Sequence, residues 1–247
     1  MKKILIFTPV WKRLELTKLC YKGIHRFRKA LKSNGIESEV LIVGSEREHE
    51  KLAARNKFNY VHVDNRYIGE KHNKGVVHAL NNLEWDYLMQ YSSDNFIKDE
   101  YAVYIKQAIE DNILFFGTDK NIKLDSKTNK QFDVFSWNGK VVGAGRIIHR
   151  DLLQKTYLKF SYIWQQRKKK ALDNDSSVNI YNATGVRCKS IIDRDCPALI
   201  IDVKSNTNIN SFDGIYKNAI KKYQQPKITI FTDWTPELTL DSIKLID

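Results

Sequence analysis

The first half of the chain alternates short apolar runs with stretches in which apolar residues recur every three or four positions. Short apolar runs predict strands, and the wider spacing predicts helices. The predicted strands cover 4–7, 39–43, 60–63, 85–91 and 113–116, and the helices between them cover 16–31, 46–57, 70–83 and 99–110. This alternation indicates an α/β fold with a mixed, mainly parallel sheet flanked by helices.

The alternation stops after Gly117, and a less regular half follows. The pattern there predicts a polar stretch, a strand and turn, a helix near Asp151 and one more strand, at 118–130, 134–139, 151 onward and 199–203. Residues 202–247 are predicted mainly as loop, because Asp, Asn, Ser and Thr favour turns, although Lys204, Asn208 and Asn210 could line a polar site. No Pro- or Gly-rich linker interrupts the chain, so we expect one domain over 1–247.

Charge adds a class of ligand to this picture. The 247 residues include 41 Lys and Arg against 29 Asp and Glu, a net charge of +12. Such a balance attracts anions, and nucleotides, nucleic acid and acidic lipid all qualify. Tyr162 and Trp164 beside the basic run 167–170 are typical of nucleic-acid surfaces, whereas a solvated helix face is the structural alternative.

Cysteine usage and hydropathy bear on location. Cys20, Cys188 and Cys196 match neither a disulfide framework nor a zinc site, which favours a reducing compartment. No run approaches the roughly 20 apolar residues that a membrane span needs. We therefore expect no transmembrane segment and a cytoplasmic location, while the oligomeric state is not predicted.

A polar cluster follows the most apolar of the central strands. Ser92, Ser93, Asp94 and Asn95 come directly after this strand, and ligands of open α/β sheets bind at such carboxyl ends. Oxygen ligands suit magnesium or manganese, which makes Asp94 and Asn95 candidate metal ligands. The alternative is an Asp/Asn turn that only ends the strand.

Two further segments are candidate nucleotide contacts. Thr8, Pro9 and Trp11 follow the first strand, where Trp11 could lie against a base or sugar, or could pack on the core as part of a rigid turn. No glycine-rich phosphate loop is present, which argues against a Rossmann dinucleotide site and a P-loop.

Lys71, His72 and Asn73 are predicted near a helix N-terminus, which attracts phosphate. The alternative is an ordinary polar first turn capped by Asn73. Asp173 and Asp175 are candidates for a general base, or for a helix N-cap.

Taken together, these pieces resemble the family-2-like nucleotide-sugar glycosyltransferases of the GT-A fold over roughly residues 4–180. The segments that carry the resemblance, in the family's order, are Pro9-Val10-Trp11, His72-Asn73-Lys74-Gly75, Ser92-Ser93-Asp94, Gly143-Ala144-Gly145-Arg146 and Asp173 to Asp175. Three positions depart from the family pattern. Ser92 stands where the first metal-motif Asp is expected, Ser45 lies where an Asp commonly contacts the nucleobase, and His72 replaces an Arg.

The resemblance implies a transfer of sugar from a nucleoside-diphosphate sugar to an acceptor hydroxyl, with 1–117 binding the donor and 118–247 the acceptor. It implies a manganese or magnesium ion on Asp94 and Asn95, and Asp173 or Asp175 as the base. The implied donor contacts are Thr8, Pro9, Trp11, Ser45, Lys71, His72, Asn73, Ser93 and Arg146.

The acceptor is left open between a hydroxymethylated base in DNA, which the charge favours, and a cell-surface glycan or lipid-linked sugar. A nucleotidyltransferase is the nearest rival enzyme. A catalytically degenerate relative that binds nucleic acid is the non-enzymatic alternative.

Overall fold

A computed structural model describes residues 1–135, 141–167, 172–193, 195–205, 212–222, 227–244 and 246. The strands are β1 (Lys3–Pro9), β2 (Glu37–Gly44), β3 (Asn59–His62), β4 (Tyr87–Gln90), β5 (Asn95–Ile97), β6 (Phe115–Gly117), β7 (Lys120–Asp125), β8 (Lys130–Phe135), β9 (Ile147–His149), β10 (Lys189–Ser190), β11 (Ile200–Lys204) and β12 (Thr229–Ile230). The helices are α1 (Leu14–Ser33), α2 (Arg47–Arg55), α3 (Ile68–Asn82), α4 (Tyr101–Glu110), α5 (Arg150–Phe160), α6 (Leu172–Thr184), α7 (Phe212–Lys222) and α8 (Leu240–Ile243).

The first sheet has seven strands in the order β10-β6-β9-β4-β1-β2-β3. Strands β4, β1, β2 and β3 run parallel, and β9 is antiparallel to both of its neighbours. Phe7 pairs with Leu41 on one side and Gln90 on the other, so these strands end at a common edge. The predicted α/β architecture with a mainly parallel, helix-flanked sheet is confirmed, and each predicted element before Gly117 is present within a residue or two.

A second, mainly antiparallel sheet was not predicted. Its order is β12-β8-β7-β11-β5. Strand β7 forms within the polar stretch 118–130, and β8 ends at Phe135, so the rest of the predicted strand and turn lies outside the described residues. Because β5 pairs with β11, residues just after the central strand meet residues about a hundred positions later.

The prediction of loop structure for 202–247 is wrong. Helices α7 and α8 and strand β12 form there, and Leu238 and Ile243 are fully buried in an apolar cluster with Leu16 of α1. Arg26 of α1 holds this segment by hydrogen bonds from its guanidinium to Glu237. Turn-forming composition misleads here because a few buried apolar side chains decide the packing. Asn208 and Asn210 lie outside the described residues.

Both faces of the first sheet are covered by helices. The apolar stripe of α1, which includes Cys20, Ile24 and Phe27, packs with Ile4 and Ile6 of β1, while Leu5 and Phe7 face the opposite cluster with Val76 of α3. Adjacent strand residues point to opposite faces, so a strand covered on both sides is apolar throughout. Within the described ranges, no helix is both long enough and apolar enough to cross a bilayer.

Candidate active site

The carboxyl ends of the parallel strands bring several predicted segments together. β1, β2 and β4 end at Pro9, Gly44 and Gln90, and the loops that follow carry Trp11, Ser45 and Asp94. The segment 143–146 joins the same edge, because Gly145 N donates to Gln90 O at 2.9 Å and Gln90 N donates to Arg146 O at 2.8 Å. This edge is where open α/β sheets hold ligands.

The loop after β1 makes a sharp turn. Lys12 and Arg13 both have left-handed φ angles, of 52° and 51°. Lys12 N donates to Glu46 Oε2 at 2.6 Å, and Lys12 Nζ lies 4.5 Å from the centre of the Trp11 ring. Trp11 is 39% exposed, so the interpretation that it packs on the core is wrong. Its ring is available to stack on a planar ligand.

Lys71 links two loops at this edge by hydrogen bonds. Its buried Nζ donates to Val10 O at 2.5 Å and to Asn65 Oδ1 at 3.2 Å. Burial lowers the pKa of Lys71 to about 8, while Glu46 acts in the opposite direction. Lys71 therefore fixes the loop after β1 relative to the loop after β3.

His72 and Asn73 have a packing role. The His72 ring lies between Phe7 and Trp164, with ring centres 5.6 and 5.2 Å away, and its Nδ1 is 2.8 Å from Ile68 O. Burial outweighs this contact and lowers the pKa of His72 to about 4, so the ring is neutral at pH 7.

Asn73 uses both ends of its amide on the backbone of the segment before residue 165. It donates to Trp164 O at 2.6 Å and accepts from Ile163 N at 2.9 Å and Trp164 N at 3.1 Å. The alternative that Asn73 caps its helix is wrong, because α3 begins at Ile68 and its N-cap position is Tyr67.

The N-terminus of α3 is occupied by the chain itself. Glu70 N donates to Gln166 O at 3.1 Å. A methyl group at Gly69 would lie 2.1 Å from Gln165 O, so backbone packs directly on this helix end. The expectation that the N-terminus of α3 attracts a phosphate is therefore wrong, because the chain's own backbone packs on its first amides. An open depression of about 370 Å³ lies beside it, lined by Lys74 and Tyr157 among others, but it contains none of the carboxylates discussed below.

Asp94 is enclosed by basic side chains. Arg13 Nη1 lies 2.9 Å from Asp94 Oδ2, and Arg13 Nη2 donates to Ser93 Oγ at 3.2 Å. Burial alone would raise the pKa of Asp94, but Arg13, Lys204 and Lys123 outweigh burial and lower it to about 2. Asp94 is therefore ionised, and the neighbouring cations already balance its negative charge.

The second predicted metal ligand is also engaged, since Asn95 Oδ1 accepts from Ser92 N at 3.3 Å. Among the residues that the structure describes, no three His, Cys, Asp or Glu side chains gather as a metal site. A divalent cation needs several uncompensated oxygen ligands. The residues around Asp94 and Asn95 therefore do not fit the predicted manganese or magnesium ion.

Arg146 is a structural anchor. Its buried guanidinium donates to Asp173 O at 2.8 Å, to the hydroxyls of Ser177 and Ser176 at 3.1 and 3.3 Å, and to Val141 O at 2.6 Å. These bonds tie the start of α6 to the segment that borders β4. Arg146 thus positions the acidic first turn of α6 beside the strand end.

Asp173 and Asp175 lie in the first turn of α6, which starts at Leu172, so the N-cap interpretation is wrong. Acidic residues in this turn are favoured by the helix dipole. Asp173 is exposed, and its carboxylate approaches Gly143 so closely that a methyl group there would lie 2.1 Å from Oδ2. Asp175 is half-buried.

One member of the aromatic and basic surface predicted for nucleic acid is wrongly assigned. Trp164 is fully buried in the apolar cluster under α3, so it cannot stack on a base. Tyr162 lies beside Phe160, with ring centres 6.1 Å apart. Lys168, Lys169 and Lys170 are outside the described residues.

Sequence reasoning missed Arg13, Lys123 and Asp202 as members of this edge. Lys204 Nζ lies 2.6 Å from Asp202 Oδ1, and Lys123 Nζ contacts Asp202 Oδ2. Residues two apart on a strand share a face, so the spacing of Asp202 and Lys204 was a usable signal for a charged face.

No protein-family model matches the chain, and no curated protein sequence matches it. Several solved structures do match the chain. A Drosophila beta1,4-galactosyltransferase 7 mutant, in complex with manganese, UDP-Gal and xylobiose, is 13% identical with a TM-score of 0.52, over 80% of this chain and 67% of that one. S. aureus TarS residues 1–349 is 16% identical with a TM-score of 0.51, over 82% of this chain and 60% of that one. At this identity the likeness concerns the fold, and the chain has the GT-A fold of nucleotide-sugar glycosyltransferases.

Proposed function

We propose that this protein is a glycosyltransferase that moves a sugar from a nucleoside-diphosphate sugar to an acceptor hydroxyl. One observation carries the proposal: the exposed Asp173 carboxylate lies against Gly143, in the segment that borders the carboxyl end of the central strand of a GT-A fold, and Arg146 donates to the Asp173 backbone oxygen. A fold alone does not fix a function, and the chemistry of this edge supplies the specific argument.

In the proposed reaction, Asp173 takes the proton of the acceptor hydroxyl. The hydroxyl oxygen then forms a bond to the anomeric carbon, and the bond from that carbon to the phosphate oxygen breaks with its electron pair on the nucleoside diphosphate. A carboxylate that is open to solvent beside the strand ends suits this proton transfer. Asp175 is the alternative base, and its half-buried position makes it the second choice.

The proposed donor contacts follow the loops at the strand ends. Trp11 would stack on the base or sugar, and the Ser45 hydroxyl, with Pro9, would border the nucleotide. The predicted contacts Thr8 and Ser93 are not included, because Thr8 is fully buried and Ser93, also buried, accepts a hydrogen bond from Arg13. Lys71 serves this site indirectly, by fixing the loop after β1 through Val10 O. His72, Asn73 and Arg146 are not included, because all three are buried, and His72 Nδ1, the Asn73 amide and Arg146 Nη1 are engaged with neighbouring backbone and hydroxyl groups.

The acceptor is proposed only as a hydroxyl compound. Hydroxymethylated DNA, a cell-surface glycan and a lipid-linked sugar stay as candidates for testing. The galactosyltransferase neighbour was crystallised with xylobiose, which adds a disaccharide to the set. The predicted divalent cation does not fit the described residues, and no step of the proposed reaction uses it.

The test is release of nucleoside diphosphate from a panel of donor sugars with different bases, with and without each candidate acceptor. Each reaction is run in EDTA and in manganese, and mass spectrometry follows the acceptor. Acceptor-dependent release with a hexose or pentose mass added would establish the function. Release of pyrophosphate from a nucleoside triphosphate and a sugar phosphate would instead identify a nucleotidyltransferase. Tight DNA binding without turnover would favour the non-enzymatic alternative.

A further inference from the structure

Five charged side chains meet where the two sheets join. Arg13 precedes α1, Asp94 lies between β4 and β5, Lys123 is in β7, and Asp202 and Lys204 are in β11. We name these residues the Asp94 cluster. Their side chains are between 10% and 18% exposed, so the cluster is largely buried but not closed to solvent.

The cluster carries an excess of positive charge. Arg13, Lys123 and Lys204 oppose only Asp94 and Asp202, and each carboxylate is already in an ion pair. Burial acts to lower the pKa of Lys204, but Asp202 and Asp94 outweigh it and raise that pKa, so Lys204 stays charged. At Lys123 burial prevails over Asp202 and lowers the pKa. A divalent cation would add two charges to a site that is already positive, whereas a diphosphate would balance it.

We propose that Arg13, Lys123 and Lys204 bind the diphosphate of the donor and replace the divalent cation. This inference rests on the proposed glycosyltransferase function. When the bond from the anomeric carbon to the phosphate oxygen breaks, the electron pair stays on the terminal phosphate of the leaving nucleoside diphosphate. The three side-chain cations stabilise that charge, and the acceptor proton goes to Asp173. No metal ion is needed to stabilise the leaving group in this reaction.

The backbone explains how the cations are held in place. Val203 N donates to Asp94 O at 2.8 Å, so β11 is hydrogen-bonded to the turn that carries Asp94. Asp202 lies opposite Asn95 in β5 and opposite Lys123 in β7, which sets Lys204 one pleat further along the same face. Asp94 and Asp202 then orient the cations, a preorganised arrangement that needs little rearrangement when an anion arrives.

The experiment is isothermal titration of a nucleoside diphosphate into the full chain, in EDTA and again in manganese. The diphosphate used is the one released in the donor panel, or UDP if the panel gives none. We expect dissociation constants that differ by less than about threefold between the two conditions, because no metal bridge is formed. Arg13→Gln and Lys204→Gln should each weaken binding by at least about tenfold, and Arg13→Lys should recover part of the loss.

Asp94→Asn best separates binding by side-chain cations from binding by a metal ion, because the two predict different diphosphate affinities for this variant. If the side-chain cations bind the ligand, metal-free diphosphate binding should persist in Asp94→Asn, because Asp202 still orients Lys123 and Lys204 and a negative charge beside the phosphate site is removed. The same change should abolish manganese-dependent binding if Asp94 holds a metal. Lys106→Gln on α4 is the matched control for loss of a surface charge, because Lys106 is exposed and pairs with the exposed Glu110 on its own helix. Circular dichroism checks that each variant is folded.

Binding that manganese tightens by tenfold or more, and that Asp94→Asn removes, would overturn the inference and leave the glycosyltransferase proposal standing. Metal-free binding that Arg13→Gln and Lys204→Gln do not weaken would also overturn it. If no nucleoside diphosphate binds in either condition and no donor turns over, both proposals fail.

Discussion

Asp94 and Asp173 border the same edge of the first sheet, yet their surroundings differ. Asp94 is buried and ion-paired with Arg13, and neighbouring cations hold its pKa near 2. Asp173 is exposed, and Arg146 bonds its backbone oxygen rather than its carboxylate. In the proposed site the first carboxylate orients cations, whereas the second would take the proton of the acceptor hydroxyl. Two acidic groups in one site thus acquire separate roles from their environments.

The largest effect that separates the two carboxylates is expected from Asp173→Asn. Loss of a general base typically costs about 10²–10⁴-fold in rate. The transfer rate should fall by this amount while donor affinity and melting temperature stay unchanged, since Asp173 is exposed. Single-turnover kinetics and donor titration measure the two quantities.

Asp175→Asn is the matched control for that variant, because both residues lie in the first turn of α6. It should cost less than about tenfold, as expected of a residue outside the chemical step. A large loss in Asp175→Asn with normal turnover in Asp173→Asn would move the base to Asp175.

A smaller effect is expected when Asp173 is displaced rather than removed. A methyl group at Gly143 would lie 2.1 Å from Asp173 Oδ2, so Gly143→Ala must push the carboxylate away. Misplacement by about 1 Å can cost roughly 10²-fold in rate. We expect kcat to fall by about that factor with donor affinity retained.

The double variant Gly143→Ala with Asp173→Asn tests whether the two changes act through one carboxylate. It should be no slower than Asp173→Asn alone, because coupled residues are not additive. Multiplied losses would mean that Gly143 affects the reaction by another route.

The two regions also differ in how far the sequence predicts them. Apolar periodicity predicts β1 to β4 and the helices between them, because each of these elements shows its pattern within one short window. Asp94 and Trp11 follow from that assignment, since residues after parallel strands gather at one edge. The residues alone make Asp173 and Asp175 candidates for a general base or a helix N-cap, and the family resemblance implies the first of these roles.

The Asp94 cluster is beyond such local reasoning. Lys204 reaches Asp94 only because β11 pairs with β5, which is about a hundred residues away in the sequence. These strands are short, so their periodicity is weak. His72 and Asn73 illustrate a second gap. A motif at a helix start does not say which side chains face the sheet, and both proved to pack against neighbouring backbone.

The loop that carries Arg13 gives the smallest of the expected effects, and it concerns stability. Lys71 braces this loop through Val10 O, and burial lowers its pKa from 10.5 to about 8 despite the opposing effect of Glu46. Between these values the unfolded chain binds more protons than the folded one, so the contribution of Lys71 to the free energy of unfolding rises with pH.

Lys71→Met removes this contribution. The difference in unfolding free energy between wild type and Lys71→Met should therefore increase by roughly 2 kcal/mol from pH 8 to pH 10. Urea denaturation across this range measures it, and Lys106→Met is the control for loss of an exposed lysine. If this difference in unfolding free energy does not change with pH, Lys71 titrates like an exposed lysine. The loop that carries Arg13 would then lack its buried hydrogen bond from Lys71.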